Sequence, residues 1–259
     1  MNTFSENTFL EIKNVRKYYG TKEALKGVSL TLAKGEIVSL LGVNGAGKTT
    51  LSNIIATLCP ASEGDVLCNG VSIYTNITDY RMHIGYCPQT NNLNPMLTLE
   101  DNLLQAGRYY GIDEVTLKQR FDELIEHFNL HEYVKCTSHM LSGGYKQRFM
   151  IARSLMHKPS LVILDEPTVA LDPHIRHQLW ELIKNLKKLG VSVLLTTHYL
   201  DEAEYLSDRV CVLHHGNVIV TDTPQNLMAH YKKERLEDVF LQLMHEASST
   251  ASSTPSKSE

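Results

Sequence analysis

A glycine-rich stretch, GVNGAGKT at 42–49, constrains the fold of this chain more than any other segment, because it fits the pattern G-x-x-x-x-G-K-[ST]. The apolar run EIVSLLGV (36–43) leads into it, and LSNIIATL (51–58) follows it with a helical pattern. Glycines let the backbone curl so that its N–H groups point inward, and the start of a helix adds the positive end of its dipole. A strand, an anion-binding loop and a helix in this order favour an α/β fold with a phosphate site.

The residue types in this loop predict a nucleoside triphosphate and Mg²⁺ as ligands. Lys48 can reach the β- and γ-phosphates, and the Thr49 hydroxyl can coordinate Mg²⁺. The positions expected to contact the nucleotide are Gly42, Asn44, Gly45, Ala46, Gly47, Lys48, Thr49 and Thr50. A glycine-rich turn without a ligand is the alternative, and the spacing together with the flanking segments disfavours it.

Two adjacent carboxylates end a second apolar run, SLVILDE at 160–166. Successive side chains of a strand point to opposite sides, so Asp165 and Glu166 cannot share one role. Asp165 is expected to belong to the Mg²⁺ shell, and Glu166 is expected to polarise an attacking water beyond the strand end. A pair of solvated carboxylates would be the plainer interpretation of this dipeptide alone. Together with the phosphate loop, the pair predicts a nucleoside triphosphatase.

The order of the apolar segments indicates the topology of the core. A third run, VSVLLTTH, occupies 191–198, and all three runs are nearly continuous, which is typical of parallel strands buried on both faces. Between the second and third runs, a helix is predicted with Asp172 as N-cap, Pro173 at its first position and Gly190 after its end. Its predicted apolar face comprises Ile175, Leu179, Leu182, Ile183, Leu186 and Leu189. Strand, helix and strand in this order form a βαβ unit.

Segments outside this unit predict antiparallel strands. FLEIKNVRKYYG (9–20) and GVSLTL (27–32) have the pattern of short antiparallel strands near the N-terminus. DVLCNGVSI (65–73) indicates another pair, which turns at Asn69-Gly70. Near the C-terminus, CVLHHGNVIV (211–220) predicts a hairpin that turns at Gly216-Asn217.

Strand signals fade between about 90 and 158, where a helical subdomain inserted in the core is expected. One helical face there comprises Leu117, Phe121, Leu124, Ile125 and Phe128. We therefore expect an N-terminal extension at 1–8, an ATPase domain at 9–246 and a Ser- and Thr-rich tail at 247–259. The tail has little to bury, so it is expected to be disordered.

Composition excludes several other functions. A net charge of −4 gives no basic surface for nucleic acid, so no nucleic-acid partner is expected. The apolar runs are too short to cross a membrane, and the N-terminus lacks the pattern of a signal peptide. The five cysteines form no CxxC pair and predict free thiols in a reducing compartment. His174 and His177 have helical spacing but no third ligand, which disfavours a metal site there.

A second glycine-containing stretch, LSGGYKQR at 141–148, is not explained by a single phosphate loop. Ser142 is placed to cap a helix through MIARSLM (150–156), so this is a second helix N-terminus directed at an anion. The stretch resembles the signature loop of ATP-binding cassette (ABC) ATPases. The family's other elements follow in its usual order: Tyr19, the loop at 42–50, Gln89 in YCPQ, the signature, LDE, ALD at 170–172 and His198 in TTH.

The resemblance covers roughly residues 9–244. It implies a P-loop NTPase (RecA-like) core with an N-terminal antiparallel β subdomain and an inserted helical subdomain. It further implies ATP as the nucleotide, with Tyr19 stacked on adenine. By the same resemblance, Gln89 senses Mg²⁺ and the attacking water, and His198 contacts the γ-phosphate. The chain departs from the family pattern at Tyr145, where Gln is usual, and at Ala170, where Gly is usual.

In such ATPases two subunits pack head to tail, which gives the second loop a purpose. The resemblance implies that Ser142, Gly143 and Gly144 of one subunit face the phosphates bound at 42–50 of the other. A second ATPase subunit, forming a homodimer, is therefore an expected partner. The second loop would then serve the partner's nucleotide.

Several segments resemble ATPases of ABC-2 type exporters: NPMLTLEDNLLQAGRYYGI (94–112), TTHYLDEAE (196–204) and LEDVFLQL (236–243). They imply an energising subunit that binds a separate transmembrane permease at the cytoplasmic face of the inner or plasma membrane. An importer ATPase remains open, as does a soluble ABC ATPase of the iron–sulfur assembly type. A nucleotide-binding regulator without turnover is disfavoured by the intact Glu166.

Overall fold

The structure is a computed structural model that describes residues 8–252 and the side chains of residues 8–247. Its strands are β1 (Thr8–Tyr19), β2 (Lys22–Ala33), β3 (Ile37–Leu41), β4 (Glu63–Cys68), β5 (Val71–Ser72), β6 (Ile84–Cys87), β7 (Leu161–Asp165), β8 (Ser192–Thr197), β9 (Arg209–His214) and β10 (Asn217–Asp222). Its helices are α1 (Lys48–Ile55), α2 (Ile77–Met82), α3 (Leu99–Tyr109), α4 (Glu114–Phe128), α5 (Gly143–Ser154), α6 (Pro173–Lys188), α7 (Leu200–Leu206), α8 (Pro224–Tyr231) and α9 (Leu236–Ser252).

A six-stranded sheet in the order β10-β9-β3-β8-β7-β6 forms the core. All neighbours in it are parallel except β10 and β9, which form an antiparallel hairpin. The three predicted core strands are β3, β7 and β8, and every residue in them is buried. Strand β6 was not predicted, because its four residues, IGYC, are too short to give a clear pattern.

Burial on both faces of this sheet explains the continuous apolar runs. Leu161 and Ile163 of β7 pack with α1 and the antiparallel sheet, whereas Val162 and Leu164 pack with the helices on the other side. Because parallel strands end at one edge, the segments that follow β3, β7 and β8 meet there. That edge carries the candidate site.

A separate four-stranded sheet, in the order β2-β1-β4-β5, is antiparallel throughout. Its turn at Asn69-Gly70 lies where it was predicted, with positive φ at both residues. The other predicted turn is one residue early in the structure. Positive φ falls at His215 and Gly216, so β10 begins at Asn217. A two-residue hairpin of this type needs positive φ at both central residues, and His-Gly supplies it.

The helical insertion lies between β6 and β7 and contains α3, α4 and α5. The five apolar positions predicted for α4 are all buried there. On α6, Leu179, Leu182, Ile183 and Leu186 are buried as predicted, but Leu189 is exposed because it lies beyond the last residue of the helix. Trp180, which the apolar pattern omitted, is buried beside them. The α/β class, with its antiparallel subdomain and helical insertion, is confirmed.

The last helix extends into the segment predicted as a tail. Disorder was expected from residue 247, but α9 continues through Ser252. Leu236, Val239 and Leu243 form the buried face of this helix, and Ala247 favours its continuation. The rest of the predicted tail, 253–259, and residues 1–7 lie outside the described residues. In the part of the chain that the structure describes, no helix is long and apolar enough to span a membrane.

Candidate active site

The phosphate loop connects the end of β3 to the start of α1. Gly47, the residue before the helix, has φ +109°, and a Cβ there would lie 2.7 Å from Leu25 Cδ2, so only glycine fits without strain. The Lys48 side chain is 5% exposed, and its ammonium donates to the carbonyls of Gly42 at 2.7 Å and Val43 at 3.3 Å. The loop is therefore curled around the lysine head group.

This loop forms one wall of a cleft of about 750 Å³. Predicted site residues in its lining are Tyr19, Asn44, Gly45, Ala46, Gly47, Lys48, Thr49, Thr50, Gln89, Glu166 and His198. Gly42 and Asp165 lie behind this wall, since Gly42 faces the Lys48 ammonium and the Asp165 side chain is buried. The structure thus brings residues from five separate segments of the chain to one cleft.

Glu166 lies in this cleft among three polar side chains. Its Oε2 accepts from Gln89 Nε2 at 2.8 Å, and its Oε1 lies 3.4 Å from His198 Nδ1 and 3.9 Å from Lys48 Nζ. The residue has φ +48°, and its backbone N–H points at the carbonyl and hydroxyl oxygens of Thr196. Such a backbone conformation is costly for a residue with a side chain, and it persists where surrounding contacts hold it. The turn projects the carboxylate from the strand end into the cleft.

Asp165 lies one residue earlier and has different surroundings. Its Oδ1 accepts from the hydroxyls of Thr196 at 2.5 Å and Thr49 at 3.4 Å. Burial raises the pKa of this carboxyl, while its hydrogen bonds to the two threonines and the charge of Lys48 oppose that shift. A hydroxyl and a carboxylate oxygen so close together suit a hard divalent cation.

The local charges also act on Lys48. Burial lowers the pKa of its ammonium, and the negative charges of Glu166 and Asp165 partly offset this effect. The carbonyls of Gly42 and Val43 hold the Lys48 ammonium inside the loop, so its positive charge lies there. This arrangement suits the binding of an anion at the helix N-terminus.

Tyr19, the last residue of β1, also lines the cleft. The residue is 50% exposed, and its hydroxyl lies 3.9 Å from Cys59 Sγ. The Lys17 ammonium lies 5.2 Å from the ring centroid. An exposed aromatic ring at a cleft wall offers a surface on which a planar base can stack.

The signature loop lies elsewhere. Ser142 is the N-cap of α5, as predicted, but its hydroxyl makes no capping hydrogen bond. Ser142 and Gly143 are exposed, whereas Gly144 packs against Ile175. All three are described, and none of them lines the cleft. The two glycine-containing loops therefore do not meet within one chain.

The two departures from the usual motifs have different structural consequences. The Tyr145 ring packs against Tyr133, with centroids 4.1 Å apart, and the Arg148 guanidinium lies 5.2 Å from its centroid. Tyr145 is thus part of the helical insertion's packing. Ala170 has φ +60°, a conformation that glycine adopts more easily, so the turn before Asp172 is strained.

Other residues of the cleft were not predicted from the sequence. Its lining also includes Lys22, Glu23, Ala24, Lys26, Val169 and His215. The turn at His215 is tied to the phosphate loop, because the Gly216 N–H donates to the Ala46 carbonyl at 3.0 Å. No motif marks His215, whereas Thr196 belongs to the TTH segment that contains His198.

Comparison with known proteins identifies the family. A family model described as ABC transporter matches residues 25–169. The linearmycin resistance ATP-binding protein of Bacillus subtilis is 37% identical over 92% of this chain and 76% of its own length. Nod factor export ATP-binding protein I of Sinorhizobium fredii is 40% identical over 85% of this chain, which spans 64% of that relative's length.

A solved structure extends the comparison to geometry. It is a dimeric ATP-binding cassette in a post-hydrolysis state, bound to ADP and Pi, with a TM-score of 0.75 and 30% identity. The match covers 83% of this chain and 98% of that one. The family model covers more than half of the 259 residues. This chain therefore belongs to the ABC transporter family, as one of its ATP-hydrolysing cassettes.

Proposed function

We propose that this chain hydrolyses Mg²⁺-bound ATP to energise a membrane exporter whose spanning part is a separate permease. The observation that carries the proposal is the position of Glu166. Its carboxylate lies within 4 Å of Lys48 and His198, and accepts a hydrogen bond from Gln89, in the cleft. A carboxylate held beside a phosphate loop by three such groups is equipped to activate water.

ATP binding uses the length of the cleft. The adenine stacks on the exposed Tyr19 ring, and the triphosphate extends to the loop at the start of α1. Lys48 supplies positive charge to the β- and γ-phosphates, and the N–H groups from Asn44 to Thr50 surround them.

Thr49 and Asp165 are the residues that would hold Mg²⁺. Their oxygen atoms lie 3.4 Å apart at the loop, and both are hard ligands of the type that this ion prefers. Among the described residues no cluster of three or more His, Cys, Asp or Glu forms a metal site, so phosphate oxygens and water would complete the shell. When bound, Mg²⁺ neutralises charge on the β- and γ-phosphates. Thr196 keeps the Asp165 carboxylate turned towards Thr49.

Hydrolysis needs a base, an orienting group and a contact with the γ-phosphate. Glu166 takes the proton of the attacking water, Gln89 orients that water, and His198 donates to the γ-phosphate. The hydrogen bond from Gln89 and the proximity of His198 fix the direction of the Glu166 carboxylate before ATP arrives. A general base of this kind contributes roughly 10²–10⁴-fold to the rate.

A second copy of the chain completes the site. Ser142, Gly143 and Gly144 are remote from the cleft of their own chain, and the unused capping position leaves the N–H groups of the α5 N-terminus for a ligand. In a head-to-tail homodimer these residues face the phosphates of the partner. The solved relative is a dimer with ADP and Pi, which supports this arrangement.

Export is the direction that the relatives favour. Their names describe linearmycin resistance and Nod factor export, and the chain has no membrane-spanning helix among its described residues. The permease would therefore hold the ATPase at the cytoplasmic face of the membrane. The permease would determine which substrate is exported.

The test is ATP turnover by the purified full chain with Mg²⁺, compared with Glu166→Gln. The variant should bind ATP with wild-type affinity, lose roughly 10²–10⁴-fold in turnover and accumulate as an ATP-bound dimer. Glu132→Gln, the same substitution at an exposed residue outside the cleft lining, is the matched control. Near wild-type turnover by Glu166→Gln would remove Glu166 from this role, and no Mg²⁺-dependent ATP binding by the wild type would refute the whole proposal.

A further inference from the structure

A buried carboxylate lies behind the site, where three segments of the chain meet. Glu202 of α7 is 0% exposed. Its Oε1 accepts from Thr168 Oγ1 at 2.8 Å and from Trp180 Nε1 at 2.9 Å. Thr168 is also 0% exposed and follows Glu166 by two residues, and Trp180 belongs to α6. One oxygen atom thus connects the segment after β7, α6 and α7.

The segment that Thr168 occupies needs an anchor. It begins at Glu166 with φ +48° and includes Ala170 with φ +60°. Two backbone hydrogen bonds, Val169 N–H to the Glu166 carbonyl and Leu171 N–H to the Thr168 carbonyl, shape it into consecutive turns. Left-handed conformations of this kind persist only where neighbouring contacts hold them. The Thr168 hydroxyl provides such a contact at the middle of the segment.

The other end of the connection leads to His198. Helix α7 begins two residues after His198, with Tyr199 as N-cap, and the Ala203 N–H donates to the Tyr199 carbonyl at 3.2 Å. Glu202 lies in the first turn of this helix. A hydrogen bond from Thr168 to Glu202 therefore links the turns after Glu166 to the helix that begins beside His198.

We propose that Glu202 is a positioning residue for ATP hydrolysis, which fixes the Glu166 turn and the His198 segment relative to one another through Thr168. The inference rests on the proposed ATPase function of Glu166 and His198. Glu202 itself makes no contact with ATP in this role. A displacement of about 1 Å between groups that act together can reduce a rate by about 10²-fold, so the link affects turnover without changing nucleotide affinity.

Both hydrogen bonds fall on the same oxygen, which suggests matched substitutions. Glu202→Gln keeps an acceptor oxygen for Thr168 and Trp180, whereas Glu202→Met keeps the side-chain length and removes the acceptor. Thr168→Val removes the donor with little change of shape, and Thr168→Ser keeps the hydroxyl. We expect Glu202→Met and Thr168→Val to lower kcat by roughly 10–100-fold with KM for ATP within about twofold of wild type. Glu202→Gln and Thr168→Ser should stay within about threefold.

Fluorescence of Trp180 distinguishes a positioning role from a general effect on packing. Trp180 is the single tryptophan of the chain, so its emission reports on the surroundings of Glu202. In Thr168→Val its indole N–H still has its partner on Glu202, so its fluorescence emission should match wild type. The thermal midpoint should fall because a buried hydrogen bond to a carboxylate is lost, and kcat of the folded protein should fall as well. A purely structural role for Thr168 would change the thermal midpoint and leave kcat of the folded protein unchanged.

Failure of the Glu202 role and failure of the ATPase proposal give different results. If Glu202→Met does not fold, the pair Thr168→Val and Thr168→Ser decides the matter. A folded Thr168→Val chain with wild-type kcat would overturn the inference while leaving the ATPase proposal intact. A wild-type chain without Mg²⁺-dependent ATP hydrolysis would instead overturn the proposed function, on which the inference rests.

Discussion

The phosphate loop and the signature loop both contain glycines, but their environments differ. Each precedes a helix, but the first is folded around the side chain of Lys48, which is 5% exposed. The Lys48 ammonium donates hydrogen bonds to two carbonyls of its own loop. Ser142 in the second is exposed, and its hydroxyl caps nothing. The first loop is therefore ready to bind a ligand within its chain. The second leaves its helix N-terminus exposed, as the proposed head-to-tail dimer requires.

The largest effect should come from damaging each loop separately. Lys48→Ala and Ser142→Arg should each lower ATP turnover of the homodimer by at least about 100-fold, because both composite sites are affected. The reasons differ: Lys48→Ala should lose ATP binding by the monomer, whereas Ser142→Arg should keep it and lose ATP-dependent dimerisation. Nucleotide titration and size-exclusion chromatography measure the two properties. Loss of monomer binding in Ser142→Arg would contradict the difference drawn between the loops.

A mixed dimer of these two variants sharpens the comparison. One composite site then carries both lesions, and the other combines an intact phosphate loop with an intact signature loop. We expect up to half of wild-type turnover in such heterodimers, purified through two different tags. Activity would be lower if the two sites must act together. No recovery in a heterodimer that forms with ATP would indicate strict coupling between sites or a role of Ser142 within its own chain.

A smaller effect should appear in the stability of the nucleotide-free protein. Burial raises the pKa of Asp165 above the ordinary 3.8, so its charged form destabilises the fold progressively as pH rises above that value. Asp165→Asn removes the charge and keeps an acceptor for Thr196. Its thermal midpoint should exceed that of wild type by about 2 °C at pH 7 and by less as pH falls towards 4. A lower midpoint for Asp165→Asn at pH 7 would show that the threonine hydrogen bonds outweigh burial.

The smallest effect should come from the unusual residue of the signature loop. Tyr145→Gln restores the residue common in the family, but the tyrosine ring packs on Tyr133 inside the helical insertion. We expect turnover within about twofold of wild type and a loss of about 1 kcal/mol in the free energy of unfolding, the contribution of an aromatic pair. Chemical denaturation and a turnover assay measure the two. A large gain in turnover would show that the fifth position contacts the partner's nucleotide.

The sequence predicted those parts of the fold and site that depend on local patterns. Buried strands β3, β7 and β8 are continuous apolar runs, and the phosphate loop has a fixed spacing, so both could be located. Strand β6 is only four residues long and carries no such pattern. Its membership in the sheet depends on pairing with β7, which is a property of the tertiary structure.

The same distinction holds at the site. Gln89, Glu166 and His198 were proposed from motifs, but their separations of 2.8 and 3.4 Å could not be derived without coordinates. Thr168 and Glu202 lie 34 positions apart and belong to no pattern that marks a pair. The extension of α9 through Ser252 was not predicted, because the Ser- and Thr-rich composition of 247–259 favours disorder even where a helix leads into it.

The turn at His215-Gly216 shows why part of this site would escape a scan of side-chain substitutions. Lys26 N–H donates to the Gly216 carbonyl at 2.8 Å, and the Gly216 N–H donates to the Ala46 carbonyl at 3.0 Å. Both bonds belong to the main chain, so replacing His215 or Lys26 with alanine leaves them in place. At Gly216 itself, an added Cβ would lie 2.6 Å from the Ala24 carbonyl oxygen. Most side-chain substitutions along this connection between the antiparallel sheet and the phosphate loop would therefore preserve it. A substitution at Gly216 would disrupt it.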